Sequence, residues 1–380
     1  MLTDTRILLI MNYIRNIFIL CLTALSTLSF SQTPTSIPLL EPDFVLGTTL
    51  YGSADLEALN SKDRSLLDAL VNQGLGGFTY YVDWMDLENE AQEVQLGTFT
   101  DTLERLHKLG LVPFVNITVG DSGGYNLPSD LLNDSGALLS PELLAETHVI
   151  ERFGRILDEL IPVLSQYGGF YLSLGNEMGE YLDLNELELQ AYVQFVTAAK
   201  THIQSINPDM AVGVTLTIGD ILTSSKTLQA FKPVVDVIPF NQGPIRADFS
   251  VYPTHEIRTH FEEVLAAYGG GTILIQELTC PSPETMGASP AWQAECYEIL
   301  LDVIRETPDI RFASIFSFQD FSDETCDLFR DALFGEELDG LPQNIAQILT
   351  DYTCYLGLID GNSQPKPAYE VILKNLQQRP

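Results

Sequence analysis

The 380-residue sequence is poor in cations. Its 19 lysines and arginines stand against 52 aspartates and glutamates, a formal net charge of −33. Such a surface repels nucleic acid and anionic membranes, which argues against a nucleic-acid role. It also makes a neutral substrate a better match than a polyanion. Cysteine and histidine are scarce too, five of each. They are scattered, with no paired Cys-x-x-Cys and no His-Glu-x-x-His, so no metal site is indicated. No Gly-x-Gly-x-x-Gly follows a strand pattern, so the usual fingerprint of a bound nucleotide is missing. No cofactor is expected.

What is present begins with a targeting pattern. Arg15 marks a short positive region, residues 17–28 are apolar, and Ser29 and Ser31 offer small side chains before Gln32. Residues 1–31 therefore read as a signal peptide, with Met11 as an alternative start. An uncleaved anchor is the other reading, although the apolar run is short for a span. The expectation is a secreted or periplasmic protein without integral membrane association after cleavage. Residues 32–43 form a lead containing Pro34, Pro38 and Pro42, and 44–380 form one domain. Export permits disulfides. Cys280, Cys296, Cys326 and Cys354 allow three connectivities; pairing in sequence order would staple two late loops.

The hydrophobic content of 45% supports a large core. Apolar runs of strand length fall at 44–50, 77–82, 111–117, 168–176, 211–217, 235–240, 272–277 and 311–318. Stretches with helical periodicity separate them, for example 141–167 and 184–206. Eight strand–helix alternations predict a parallel sheet closed into a (β/α)8 TIM barrel; an open doubly wound sheet is the alternative.

In such a barrel the C-terminal strand ends form one rim, where catalytic residues sit. The fourth strand ends in Asn176-Glu177 and the seventh in Gln276-Glu277. Strict alternation would give Tyr171, Ser173, Gly175 and Glu177 one direction, and Ile273, Ile275 and Glu277 another. Fourth and seventh strands lie nearly opposite. Two carboxylates about 5 to 5.5 Å apart across the mouth would suit retaining glycoside hydrolysis.

On these motifs the chain resembles clan A glycoside hydrolases, barrel enzymes with Asn-Glu ending the fourth strand and Glu ending the seventh. The tail from Gly357 to Tyr369 and the Trp84-Met-Asp-Leu-Glu88 loop are similar as well. The resemblance implies Glu177 as acid/base, Glu277 as nucleophile and Asn176 as a partner of the sugar 2-hydroxyl. It implies a β-linked poly- or oligosaccharide substrate. Trp84, Asn116, Asn241, Phe318 and Gln319 are candidate substrate contacts, and Asp83, Asp86 and Asp320 also stand at strand ends. Long loops at 120–139 and 319–340 suggest a groove and endo action.

Three positions depart from the family pattern. Phe318 replaces the usual eighth-strand Trp. Phe240-Asn241-Gln242 stands where a Tyr commonly reaches the nucleophile. No Arg lies near the second-strand end. These departures motivate an alternative, a non-catalytic carbohydrate-binding barrel. Gly120-Asp-Ser-Gly-Gly124 reproduces a serine-protease nucleophile string. The surrounding strand–helix alternation makes it a polar barrel loop, since a triad is defined by geometry and not by a string.

Overall fold

The computed structural model describes residues 44–50, 59–322, 324–327 and 343–377. The signal segment, the Pro-rich lead and most of the loop after the eighth strand lie outside the described residues. Eight parallel strands close into a barrel: Val45–Thr48, Gly77–Asp83, Val112–Asp121, Tyr171–Asn176, Ala211–Thr217, Phe240–Gln242, Ile273–Leu278 and Ile310–Ile315. Each pairs with the next, and the eighth pairs with the first. Helices separate successive strands around the outside, so the fold is the expected (β/α)8 barrel.

Amphipathic spacing makes these helices. In Thr147–Gln166, Val149, Phe153, Ile156, Leu157, Leu160, Ile161 and Leu164 are buried, one stripe three and four residues apart. Caps set the ends. Asn60 accepts from the backbone of Lys62 and Asp63 to start Ser61–Asn72, and Ser289 precedes Pro290 at the start of Pro290–Glu306.

Several strand bounds differ from the sequence pattern: the fourth begins at Tyr171 and the eighth ends at Ile315, and two other differences are larger. The sixth begins at Phe240, not at 235, because Pro239 has no N–H to extend the ladder; Val237 makes only an isolated bridge to Gly213. The third runs four residues past 117 to Asp121, then folds back through Gly124–Tyr125.

Aromatic rings plug the bottom of the barrel. Phe114 stacks on Tyr171 at 4.2 Å and on Phe312 at 4.4 Å, with Leu274 beside them. Glycines make room for the plug. A Cβ on Gly77 would lie 2.6 Å from the Phe312 ring, and one on Gly47 would lie 2.9 Å from the Gly77 backbone. Above this floor the interior turns polar, with Asn116, Ser173, Thr215, Gln276 and Ser314 all buried. Disulfides join Cys280 to Cys296 and Cys326 to Cys354, the sequence-order connectivity. The first closes a separation of 16 residues, a constraint on the unfolded chain worth about 3 kcal/mol. Among the described residues, no helix is long and apolar enough to cross a membrane.

Candidate active site

Two bulges, not simple alternation, build the mouth of the barrel. Against the fifth strand, pairing steps from Ser173 with Gly213 to Asn176 with Thr215, three residues against two. Gly175 has φ of 106° and Glu177 has φ of 51°. The left-handed region disfavours a glutamate, so its surroundings must hold it there. The Glu177 N–H donates to the Thr215 carbonyl at 2.9 Å, and the Ser122 N–H donates to the Asn176 carbonyl at 3.1 Å. Tyr192 donates to the Leu174 carbonyl at 2.9 Å, while Asn116 and Ser173 donate to that of Gly175 at 3.2 and 3.1 Å. These bonds satisfy the carbonyls of Leu174, Gly175 and Asn176 at the kink, which turns both Asn176 and Glu177 inward.

The seventh strand uses the same device. Phe240 pairs with Ile275 and Asn241 with Glu277, which leaves Gln276 as the extra residue. Leu274 joins the aromatic plug and Gln276 lies above it, whereas Ile273 and Ile275 pack in the larger core. The direction expected for Ile273 and Ile275 is thus reversed, and the bulge brings Glu277 back to the mouth.

There Glu177 and Glu277 meet. Asn241, the strand partner of Glu277, donates through Nδ2 to Glu177 Oε1 at 2.8 Å and to Asn176 Oδ1 at 3.3 Å. The Tyr81 hydroxyl donates to Glu277 Oε1 at 2.6 Å. Gln276 lies beneath as a fully bonded hub. Its Nε2 donates to Asn176 Oδ1 at 2.9 Å and to the Tyr81 oxygen at 3.3 Å. Its Oε1 accepts from Asn116 at 2.8 Å and Thr215 at 2.6 Å. A third carboxylate completes the site: Asp121 Oδ1 accepts from Asn176 Nδ2 at 3.0 Å and Ser122 Oγ at 2.9 Å.

The electrostatics are all of one sign. Burial pushes Glu177 up to about 7; the Asn241 amide opposes this, while Asp121 and Asp220 add to it. Burial also pushes Glu277 well up, and the charge of Glu177 adds to that. Burial raises Asp121 as well. Two neighbouring buried carboxyls retain a proton between them near neutral pH, as an acid and a base must. The Tyr81 hydrogen bond favours the charged form of Glu277, the form a nucleophile needs.

The structure brings Glu177, Glu277, Asn176 and Asn241 together. Asn116 is 0% exposed and supports the site from below, through Gln276. Trp84 and Phe318 are also 0% exposed, so neither offers a face to a ligand. Trp84 packs on Phe153 and Phe195, and its indole N–H donates to Glu88 at 2.9 Å. Arg152 anchors Glu88 at 2.9 Å and Asp130 at 2.7 Å. Gln319 donates to Asp63 at 3.0 Å and ties the rim to the first helix. Asp320 pairs with Lys366 at 2.6 Å, which holds the tail, and Asp83 accepts from Thr118 and Asn126.

Tyr81, Gln276 and Asp121 belong to the site without being among the candidates that the sequence motifs pick out. Tyr80 packs outward on Phe99 at 5.7 Å, leaving Tyr81 to face in. Asp121 lies within the protease-like string, which is a rim element of the site.

No protein-family model matches the sequence, and neither does any curated protein sequence. Solved structures do match. An exo-β-1,4-mannosidase from Opitutaceae bacterium strain TAV5 aligns over 88% of this chain, with 17% identity and a TM-score of 0.63. The chain spans 59% of that enzyme's length. A GH5_18 protein from Streptomyces cattleya, in complex with Manβ1-4GlcNAc, aligns over 89% of this chain and 82% of its own, with 12% identity and a TM-score of 0.65. A GH2 β-galacturonidase from Eisenbergiella tayi, bound to galacturonate, covers 88% and 51%, with 15% identity and a TM-score of 0.51. What the chain shares with all three is their barrel fold.

Proposed function

We propose that this protein is an exported retaining glycoside hydrolase that cleaves a β-linked saccharide. The single observation that carries the reading is the meeting of two buried carboxylates at the mouth of the barrel: Glu177 accepts from Asn241, the strand partner of Glu277, and Glu277 accepts from Tyr81. Such proximity fits a nucleophile and an acid/base acting on one anomeric carbon. Glu277 attacks and forms a glycosyl–enzyme ester, while Glu177 gives its proton to the departing oxygen. Glu177 then takes a proton from the water that breaks the ester. Asn176 keeps one amide hydrogen for the sugar 2-hydroxyl, its other being bonded to Asp121. Phe316, which follows the eighth strand at the rim and is 8% exposed, takes the sugar-floor role that Phe318 cannot.

Structural neighbours named for glycosidases support the reaction class, and the sugars in those names run from mannosides to galacturonate. Two disulfides fit an oxidising compartment, in keeping with export. The loop after the third strand walls one side of the rim, and internal cleavage of a chain is the expected mode; the length distribution of the products tests it.

Glu277→Gln decides the reading. A hydrolase loses turnover on aryl β-glycosides and still binds sugar, whereas a carbohydrate-binding barrel has no turnover to lose. Proton NMR of the first product tests retention: a β-anomer supports it, and an α-anomer overturns it.

A further inference from the structure

Among the described residues, the pocket between the glutamates offers a ligand acceptors and almost no donors. Tyr81 gives its proton to Glu277, and Thr215 gives its own to Gln276. Both amide hydrogens of Gln276 go to Asn176 and Tyr81, and those of Asn116 to Gln276 and Gly175. Asn241 donates to Glu177 and Asn176, and Ser122 donates to Asp121. One hydrogen of Asn176 is left. The acceptors are different. Asn241 Oδ1 is buried with no partner, in a side chain only 8% exposed. Both described donors to Asp121 bond its Oδ1, so its Oδ2 is open. Among the described residues, the influences that act most on Glu177, Glu277 and Asp121 are burial, neutral hydrogen-bonding side chains and other carboxylates, Asp220 and Asp83 included.

An unpaired buried acceptor is costly until a donor reaches it. Sugar hydroxyls are donors. The carboxylate of a uronic acid is an acceptor and an anion, and here it would meet like charge at low dielectric.

We propose that Asp121, with Asn241 Oδ1, determines specificity by accepting sugar hydroxyl protons, so that the site takes uncharged, hydroxyl-rich glycosides and rejects uronides. This rests on the glycosidase reading and narrows its substrate class.

The test uses matched pairs: methyl and aryl β-glycosides of glucose, mannose and galactose, beside the corresponding uronides. Binding is measured by titration and turnover by release of the aryl group, for the full protein and for Asp121→Asn. Wild type is expected to favour the neutral member of its best pair by about a hundredfold. Asp121→Asn is expected to weaken neutral binding and narrow that preference by about tenfold. Equal or better use of the uronide by wild type overturns the proposal without the variant being needed. An unchanged preference in a folded Asp121→Asn protein also overturns it, as does failure to bind any of these sugars. Neutral-selective binding without turnover would sustain it and remove the glycosidase reading.

Discussion

Tyr81 and Glu277 come from opposite sides of the barrel and share a 2.6 Å hydrogen bond. The direction of that bond is fixed. Gln276 Nε2 donates to the phenol oxygen at 3.3 Å, so the phenol proton turns to the carboxylate. A sixth-strand tyrosine is absent, Asn241 standing there instead, and the second strand provides the hydroxyl. Tyr81→Phe removes one donor to a charged group, worth about 1.5–3 kcal/mol. The Glu277 carboxylate then becomes harder to form. The acid limb of the kcat/KM profile is expected to move up by about one pH unit, with kcat falling about tenfold or more and KM changing little. A lower kcat with an unmoved acid limb would assign Tyr81 a packing role only.

The barrel was legible in the sequence because its signal is repeated: eight apolar runs, each followed by a helical stripe. Glu177 and Glu277 were legible because each ends a strand. The route by which they reach the mouth was not. A bulge at Gly175 or Gln276 leaves no mark in a period-two pattern, so alternation gave the wrong companions for Glu277. Trp84 looked like a sugar platform because exposure is not readable from residue type. Its burial follows from Arg152, far along the chain, which holds the Glu88 that receives the indole N–H. Asp121 lay concealed in a string that suggested another chemistry.

The pH dependence of stability follows from the raised carboxyls. Glu177 titrates near 7 in the folded protein and near 4.3 when unfolded. Below both values each state holds the proton and nothing is lost. Between them only the folded state holds it, so stability falls as pH rises, by up to about 1.4 kcal/mol per unit. Glu177→Gln removes this loss. The variant is expected to be more stable than wild type at pH 8, by about 1–3 kcal/mol, with the gain shrinking toward pH 5. Urea unfolding at the two pH values measures it; an equal gain at both would show that the gain does not come from the proton.

Gln276 binds four partners and is 0% exposed. Gln276→Leu keeps the volume and strands the groups around it. Asn116 and Thr215 lose an acceptor, while Asn176 and Tyr81 lose a donor. Each buried group left unpaired costs about 1–3 kcal/mol, so a loss of about 3 kcal/mol or more is expected in denaturant unfolding. Activity should fall further than in Tyr81→Phe, because Asn176 is released as well. A variant as stable and active as wild type would show that the hub positions nothing.

Gly175 is the pivot of the fourth-strand bulge, and two effects forbid a side chain there. Its φ of 106° suits glycine. A Cβ would also overlap the hydroxyl of Tyr192, which is held by its bond to the Leu174 carbonyl. Gly175→Ala is therefore expected to cost about 2–4 kcal/mol and to lower activity by misdirecting Asn176 and Glu177. Adding Tyr192→Phe separates the causes. It removes the overlapping oxygen and leaves the backbone angle as it was. The double variant should recover part of the stability, while each single variant is destabilised. If Tyr192→Phe gives no recovery in a Gly175→Ala background, the backbone angle alone accounts for the glycine. If Gly175→Ala leaves both stability and turnover intact, the bulge does not aim the catalytic pair.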